Sequence, residues 1–336
     1  MTWRARTRGK PGRVCAGIAW LSLVCTCGCG LSAGGGEGAA GSDYEVLYVR
    51  DGRLVAVHPD GSDARVVNSA LTGCREPQGS PDGRFIACVS GAFVYIMARD
   101  GSGAHAVAGR VATAEPVYPN WSPDGRKLCF AGLDQRVHVL ELDATMGPER
   151  ETAIAAGPGG APATPSFLTN QRLLFAARAP EAAGPGQGDG WLYTVNIDGS
   201  GLLPFFSSAT SVYGVDPTRG NVRRAVRANR ADWIVFESDV RGGYDLWLAY
   251  LDGDVYGCVT QYDYPVGESA RGTAAWERNV AGRWTPDGRI AYESAHYDAL
   301  GWGVPQIWIT DKFGSYPVQL THDPEGAHQP GILVSE

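Results

Sequence analysis

The segment Ser-Pro-Asp-Gly-Arg occurs at 80–84 and again at 122–126, and Trp-Thr-Pro-Asp-Gly-Arg stands at 284–289. Each runs straight into a short apolar stretch: FIACVS, KLCFAG and IAYES. A second unit recurs downstream, as FVYIMARDGSG (93–103), WLYTVNIDGSG (191–201), DLWLAYLDGD (245–254) and QIWITDKFG (306–314). Proline fixes one φ, aspartate bonds back to the backbone and glycine takes φ > 0, which together make a tight turn. Asp-Gly-Ser does the same at the second site. The stretches between are short, rich in β-branched and aromatic residues, and bounded by turns, so they are strands. One repeat is therefore a four-stranded antiparallel sheet. Strand a ends at Trp-Ser-Pro, strand b follows, strand c stops before Asp-Gly-Ser, and strand d completes the unit.

A single sheet of this kind cannot bury both its faces, whereas several arranged radially can. The motifs place blades near 75–108, 116–155, 162–206, 212–260 and 280–321. The body opens at Tyr44 with EVLYV, RLVAV and PDGSDARVV, three strands with no strand a, and the chain closes with HQPGILVSE, a strand a with nothing after it. The last strand is expected to complete the first blade, which removes the sheet edges at the seam. The fold class is then all-β, a six-bladed propeller over 44–336. The 46 Gly and 21 Pro suit many short strands better than long helices.

Residues 1–29 are of another kind. Arg4, Arg6, Arg8, Lys10 and Arg13 form a basic leader, an apolar run of 11 residues from Val14 to Val24 follows, and TCGCG closes it. That run is too short to span a bilayer and has the build of an export signal. Small residues before a cysteine are similar to a bacterial lipoprotein signal, with Cys29 as the acylated residue, Cys27 as the alternative and 30–43 as a flexible tether. Removing the leader's five basic residues takes Lys+Arg from 29 to 24 against 36 Asp+Glu, and the net charge from −7 to −12. An acidic exported protein of this sort is not expected to bind nucleic acid. Four cysteines fall in the body, Cys74, Cys88, Cys129 and Cys258. They read as buried free thiols, with a disulfide among them left open.

The PNWSPDGR unit, followed by a strand, Asp-Gly-Ser and a strand ending in Leu-Thr (QLTHDP at 319–324), resembles the repeat of TolB-type propellers. Related repeats occur in the propellers of prolyl oligopeptidases. The likeness extends over about residues 44–336. TolB-type proteins carry an additional small N-terminal α/β domain where this chain has a tether, and the peptidases carry a hydrolase domain for which no room remains. The resemblance thus implies the fold and a binding scaffold, not membership of the Tol–Pal system.

Strand direction sorts the connections onto two faces. The a–b and c–d turns are mostly tight, while the long insertions 179–190, 262–273 and 295–304 fall on the opposite face, where binding is expected. Tyr262, Tyr264, Trp276, His296, Tyr297, Asp298 and Trp302 are the candidate contact residues there, and seven of the ten Trp lie between 191 and 308. Rings with a polar tip suit peptide, protein or sugar contacts. Blade 5 carries DPTRGNVRRAVRANRAD, read as an insertion between strands a and b. On a helix, its Arg219, Arg223, Arg227 and Arg230 would align, with Arg224 beside them, as a basic patch able to grip carboxylates or phosphates. His138 fills the slot of Tyr95, Tyr193 and Trp247 and reads as a packing residue. His296, His322 and His328 with Asp298 could meet as metal ligands, as in related metal-dependent pectate-type lyases, but Thr-His-Asp-Pro also belongs to the repeat. No metal, no cofactor and no catalytic residue are therefore assigned. GLSAG at 30–34 and GEGAAG at 36–41 match catalytic and nucleotide motifs but lie in the tether, outside any strand–helix context. The sequence reading is a non-catalytic, monomeric exported lipoprotein. It would contact the membrane through its lipid alone, at the outer membrane's periplasmic side or the cell surface, and bind an envelope protein or peptide. The alternative is a carbohydrate-active enzyme or glycan-binding protein that resembles oligogalacturonate lyase propellers.

Overall fold

The computed structural model describes residues 44–68, 71–109, 111, 119–154, 163–178, 190–206, 214–228, 231–260, 279–295, 297–298 and 301–335. Three strands open the chain: β1 (Tyr44–Arg50), β2 (Arg53–Val57) and β3 (Arg65–Asn68). Blade 2 is β4 (Arg75–Gly79), β5 (Phe85–Ser90), β6 (Phe93–Ala98) and β7 (His105–Gly109). Blade 3 is β8 (Asn120–Trp121), β9 (Lys127–Ala131), β10 (Val137–Leu142) and β11 (Pro148–Ile154). Blade 4 is β12 (Ala163–Thr169), β13 (Arg172–Arg178), β14 (Gly190–Asn196) and β15 (Leu203–Pro204). Blade 5 is β16 (Val222–Arg227), β17 (Trp233–Ser238), β18 (Asp245–Tyr250) and β19 (Val255–Cys258). Blade 6 is β20 (Asn279–Trp284), β21 (Ile290–Ser294), β24 (Gln306–Thr310) and β25 (Val318–Gln319), with a two-stranded hairpin, β22 (Tyr297–Asp298) and β23 (Gly301–Trp302), between its second and third strands. The last strand, β26 (His328–Val334), pairs antiparallel with β1, so the first blade reads β26-β1-β2-β3 and the ring holds six four-stranded blades. Among the described residues no helix is long and apolar enough to cross a membrane.

The repeated turns fold as their chemistry dictates. In each, the hydroxyl of the residue before proline donates to the turn aspartate: Ser80 to Asp82 at 2.5 Å, Ser122 to Asp124 at 2.6 Å and Thr285 to Asp287 at 2.5 Å. The same hydroxyl accepts the first strand-b N–H, from Phe85, Lys127 and Arg289. The glycine that follows, Gly83, Gly125 or Gly288, has φ between 69° and 82°, a region that L side chains enter only at a cost.

Six core clusters fill the six junctions between neighbouring blades. In β5, Ile86 and Cys88 pack toward blade 1 while Ala87 and Val89 pack toward blade 3. Period-2 alternation with both faces covered is why the strands read as unbroken apolar runs. Backbones approach closely along the seam between blades 1 and 2. A Cβ on Gly331 of β26 would stand 2.0 Å from the carbonyl oxygen of Pro77, and one on Gly79 of β4 2.3 Å from that of Ile332. Glycine at both positions lets these backbones touch. Across the same seam Arg99 bonds the Val334 carbonyl and, at 2.7 Å, the buried Glu45 carboxylate.

Cysteine corrects the sequence expectation. Cys74 and Cys88 form a disulfide, with Cα atoms 5.8 Å apart, at the blade 1–2 junction. Cys129 and Cys258 are free, and burial pushes both thiols well above the ordinary value.

Candidate functional site: the axial channel

The innermost strands, β26, β4, β8, β12, β16 and β20, surround the axis, and the sequence gives them two levels. At the level near their starts, five carry a non-glycine residue at positive φ: Glu76 (55°), Thr164 (47°), Arg224 (47°), Ala281 (59°) and Gln329 (56°). Each sits at a break in the ladder between strands a and b. Such bulges turn one extra backbone N–H out of the sheet. That N–H needs an acceptor, and at Glu76, Arg224, Ala281 and Gln329 the preceding blade supplies it. Glu76 N–H donates to Gln329 Oε1 (3.0 Å) and Arg224 N–H to Thr164 Oγ1 (3.0 Å). Here the preceding blade's own bulge residue does the work.

Where that residue cannot accept, a glutamate from strand b replaces it. Arg224 is a cation and Ala281 is apolar, so Glu237 takes the Ala281 N–H (2.6 Å) and Glu293 takes the Gln329 N–H (2.8 Å). These glutamates occupy matching slots, Phe-Glu-Ser at 236–238 and Tyr-Glu-Ser at 292–294. Glu237 is fully buried and also accepts from Arg223 (2.7 Å) and Arg224 (3.2 Å). Burial alone would raise its pKa, but Arg224 and Arg223 outweigh it and hold the carboxyl below its ordinary value. Arg223 also lies 3.5 Å from the Tyr244 ring centroid. Glu293 accepts from His328 Nδ1 at 3.0 Å, and that bond raises the imidazole pKa against the opposing effect of burial.

These contacts correct the basic patch. Arg223, Arg224 and Arg227 lie in strand β16, the innermost strand of blade 5, not in a helical insertion after it. Pro217–Arg219 makes one 3-10 turn capped by Asp216, and Arg219 is an exposed residue 4.0 Å from that aspartate. Glu237 supplies one carboxylate that both inner arginines share. Arg230 lies outside the described residues.

The second level is the mouth, where strands a run out into the tight turns. A cavity of about 320 Å³ opens there, lined from all six blades. Gln78, Asn120, Phe167, Val226, Arg283 and Ile332 contribute one residue per blade, and Trp121, Arg227 and Trp284 stand beside them. The indole N–H of Trp121 donates to the Gln78 carbonyl (3.1 Å) and that of Trp284 to the Val226 carbonyl (3.2 Å). Arg227 fills the same slot in blade 5 and donates to the Leu168 carbonyl. Each ties its blade to the one before. Arg283 is only 3% exposed and bonds the Gly282 carbonyl. Gln78 is 8% exposed, and its Nε2 has no hydrogen-bond partner. Among the described residues, no Asp or Glu lines this cavity.

The mouth lies on the tight-turn face, opposite the face that sequence reasoning singled out. Tyr262, Tyr264, Trp276 and His296 lie outside the described residues, as does Cys29. Of Tyr297, Asp298 and Trp302 the backbone alone is described, in the β22–β23 hairpin with Tyr297 opposite Trp302. His328 is engaged by Glu293, and among the described residues no group of three or more His, Cys, Asp or Glu is placed to hold a metal. His138 packs as expected, stacked 5.2 Å from Phe130 in the strand-c slot, and bonds Glu151 and Asp134. Sequence reasoning passed over Gln78, Arg283, Glu237 and Glu293. The last two had a signal, an acid in the middle of an apolar strand b.

No family model matches the chain, and no curated protein matches it in sequence. Solved structures do. TolB from Acinetobacter baumannii is similar over 86% of this chain at 12% identity and a TM-score of 0.62, and the chain spans 66% of that protein. A putative TolB from Agrobacterium tumefaciens is similar over 83% at 14% identity, with a TM-score of 0.56 and 88% of its own length covered. A chain of a nidogen/laminin complex is similar over 88% at 9% identity, with a TM-score of 0.56 and its whole length covered. At such identities the likeness is one of fold.

Proposed function

We propose that this protein is a non-catalytic propeller scaffold, exported through a signal ending at Cys29, held by a lipid on that cysteine, and binding a protein or peptide partner in the cell envelope at the axial mouth. The observation that carries the reading is the mouth itself. All six blades contribute to one cavity whose rings and amide groups suit a polypeptide, and its volume lies at the low end of the about 300–1,000 Å³ usual for ligand sites. The cross-blade bonds of Trp121, Trp284 and Arg227 support a pre-formed site, which reduces the ordering cost of binding. Ser80 and Ser122, the hydroxyls nearest the lip, are engaged by their turn aspartates, and no histidine is among the described lining residues. No nucleophile–base pair stands among the described lining residues.

The test is site-specific photo-crosslinking in intact cells, with the photoreactive residue placed at Pro123 on the mouth or at the exposed Arg150 on the outer edge. A polypeptide adduct of defined mass is expected from position 123 and not from 150; no adduct at 123, or the same adducts at both, would contradict the reading. Metabolic labelling with an alkynyl fatty acid checks the anchor. The label should vanish in Cys29→Ala, and its persistence there would remove Cys29 as the acylated residue.

A further inference from the structure

We propose that the polypeptide held at the mouth leaves it radially, as an extended stretch along the junction of blades 4 and 5. It would carry an acidic residue near the axis and a basic one about three residues further out; this rests on the binding reading above. The repeat itself marks the place. Where the inner strands of blades 3 and 6 end in Trp121 and Trp284, that of blade 5 ends in Arg227. A guanidinium group is smaller than an indole, and beside this one a second cavity, of about 310 Å³, opens on the same face. Arg227 lines both cavities and joins them. The lining of the second crosses all four strands of blade 4 in radial order: Leu168 from β12, Arg172 from β13, Thr194 from β14 and Leu203 from β15. Strands about 4.8 Å apart make this a groove of about 14 Å, the reach of about four extended residues. An elongated groove that starts at the mouth has the shape of an extended chain, not of a compact ligand.

The two ends of the groove differ in charge. The Arg172 guanidinium bonds the Thr194 hydroxyl (2.7 Å) and that of Arg227 the Leu168 carbonyl, both neutral acceptors, and the Nε of each has no hydrogen-bond partner. Among the described residues neither guanidinium meets a carboxylate at bonding distance. An acidic side chain entering at this end would give both an anionic acceptor. Asp252 lies toward the outer end, exposed in the turn between β18 and β19, where its Oδ1 accepts the Asp254 N–H of its own turn (3.2 Å). It can answer a lysine or arginine, while Leu251 and the 55% exposed Leu203 beside it cover apolar side chains. From strand b to strand d is about 10 Å, which sets the acid and the base about three residues apart.

The experiment follows the Nε–H resonances of Arg172 and Arg227, which burial protects from exchange, in the full-length protein labelled with ¹⁵N-arginine. Two charged peptides are titrated, Ac-Ala-Leu-Glu-Leu-Leu-Arg-Ala-NH₂ and the one with Glu and Arg exchanged, each also with Gln in place of Glu or of Arg. Saturable shifts are expected with at least one charged peptide, and the order of charges that binds tighter gives the direction of the chain. Its Gln-for-Glu form should bind at least ten-fold more weakly. Arg172→Met and Arg227→Met should each weaken the charged peptide at least five-fold and leave the Gln-for-Glu form unchanged. Asp252→Asn should weaken the charged peptide and leave the Gln-for-Arg form unchanged. Because Asp252 is exposed and asparagine keeps the turn acceptor, this variant holds the test open if an arginine variant folds poorly. No saturable shift, equal affinity for the charged and Gln-for-Glu forms, or no effect of any variant would overturn the inference. Any of these with the crosslink at position 123 retained removes only the groove; loss of that crosslink as well removes the binding reading with it.

Discussion

The two levels of the axial channel use the same residue types to opposite ends. Near the strand starts every bulge N–H described with a donor bond meets an acceptor from the neighbouring blade, and Arg223 and Arg224 meet the Glu237 carboxylate of their own blade. At the mouth, guanidinium and amide donors stand in a cavity whose described lining holds no carboxylate, and Gln78 Nε2 has no hydrogen-bond partner there. The inner level uses its polar groups to hold neighbouring blades together; at the mouth the Gln78 carboxamide nitrogen is left without a hydrogen-bond partner. A buried arginine is therefore not a functional signal in itself.

The largest effect should come from a change that damages both levels at once. Removing residues 328–336 takes away Gln329 and His328 at the inner level and Ile332 and Val334 at the mouth. It also exposes the edge of β1. Cooperative thermal unfolding followed by circular dichroism should be lost or moved far down, and a melt like that of the intact chain would refute the closure. Gly331→Ala is a milder form of the same insult, since its Cβ would collide with the Pro77 carbonyl.

Next comes the inner level alone. Glu237→Gln removes the fully buried carboxylate shared by the buried Arg224 and the partly buried Arg223 and should cost about 3–5 kcal/mol in denaturant unfolding. A loss below about 1 kcal/mol would mean that the carboxylate does not organise this level.

The smallest effect belongs to His328. Its pKa is raised by the Glu293 bond, so the folded value exceeds the unfolded one, about 6.5. The stability it contributes is then full below that unfolded value and is lost as pH rises through the folded one. Its side chain is 42% exposed, which limits the contribution to about 1 kcal/mol or less. Melting temperature should fall slightly more between pH 6 and 8 in the wild type than in His328→Gln; parallel curves would show that the pair adds nothing.

The ring was legible in the sequence because its signal is local. Pro-Asp-Gly and Asp-Gly-Ser fix their turns with atoms inside five residues, so each copy announces itself, and Tyr44 and His328 showed where the circle closes. The channel was not, because its chemistry is radial. Arg223 and Arg224 looked like a solvated insertion until Glu237, in the next strand, stood against them. Nothing in the sequence near Gln78 distinguishes it; its interest comes from lining, with its Nε2 unpartnered, a cavity that all six blades share. Cys74 stands just before the repeat it joins, so its pairing with Cys88 had no motif to mark it.

The contrast between the levels is tested most directly by scanning calorimetry of the wild type, Glu237→Gln and Arg227→Met, each with and without the tighter-binding charged peptide at a concentration that saturates the wild type. The account predicts that Glu237→Gln melts well below the wild type yet is still stabilised by the peptide, through preferential binding to the folded state. It also predicts that Arg227→Met melts close to the wild type and gains little from the peptide. If stability and peptide response fall together in both variants, the inner level and the mouth are one structural unit and the division drawn between them is wrong.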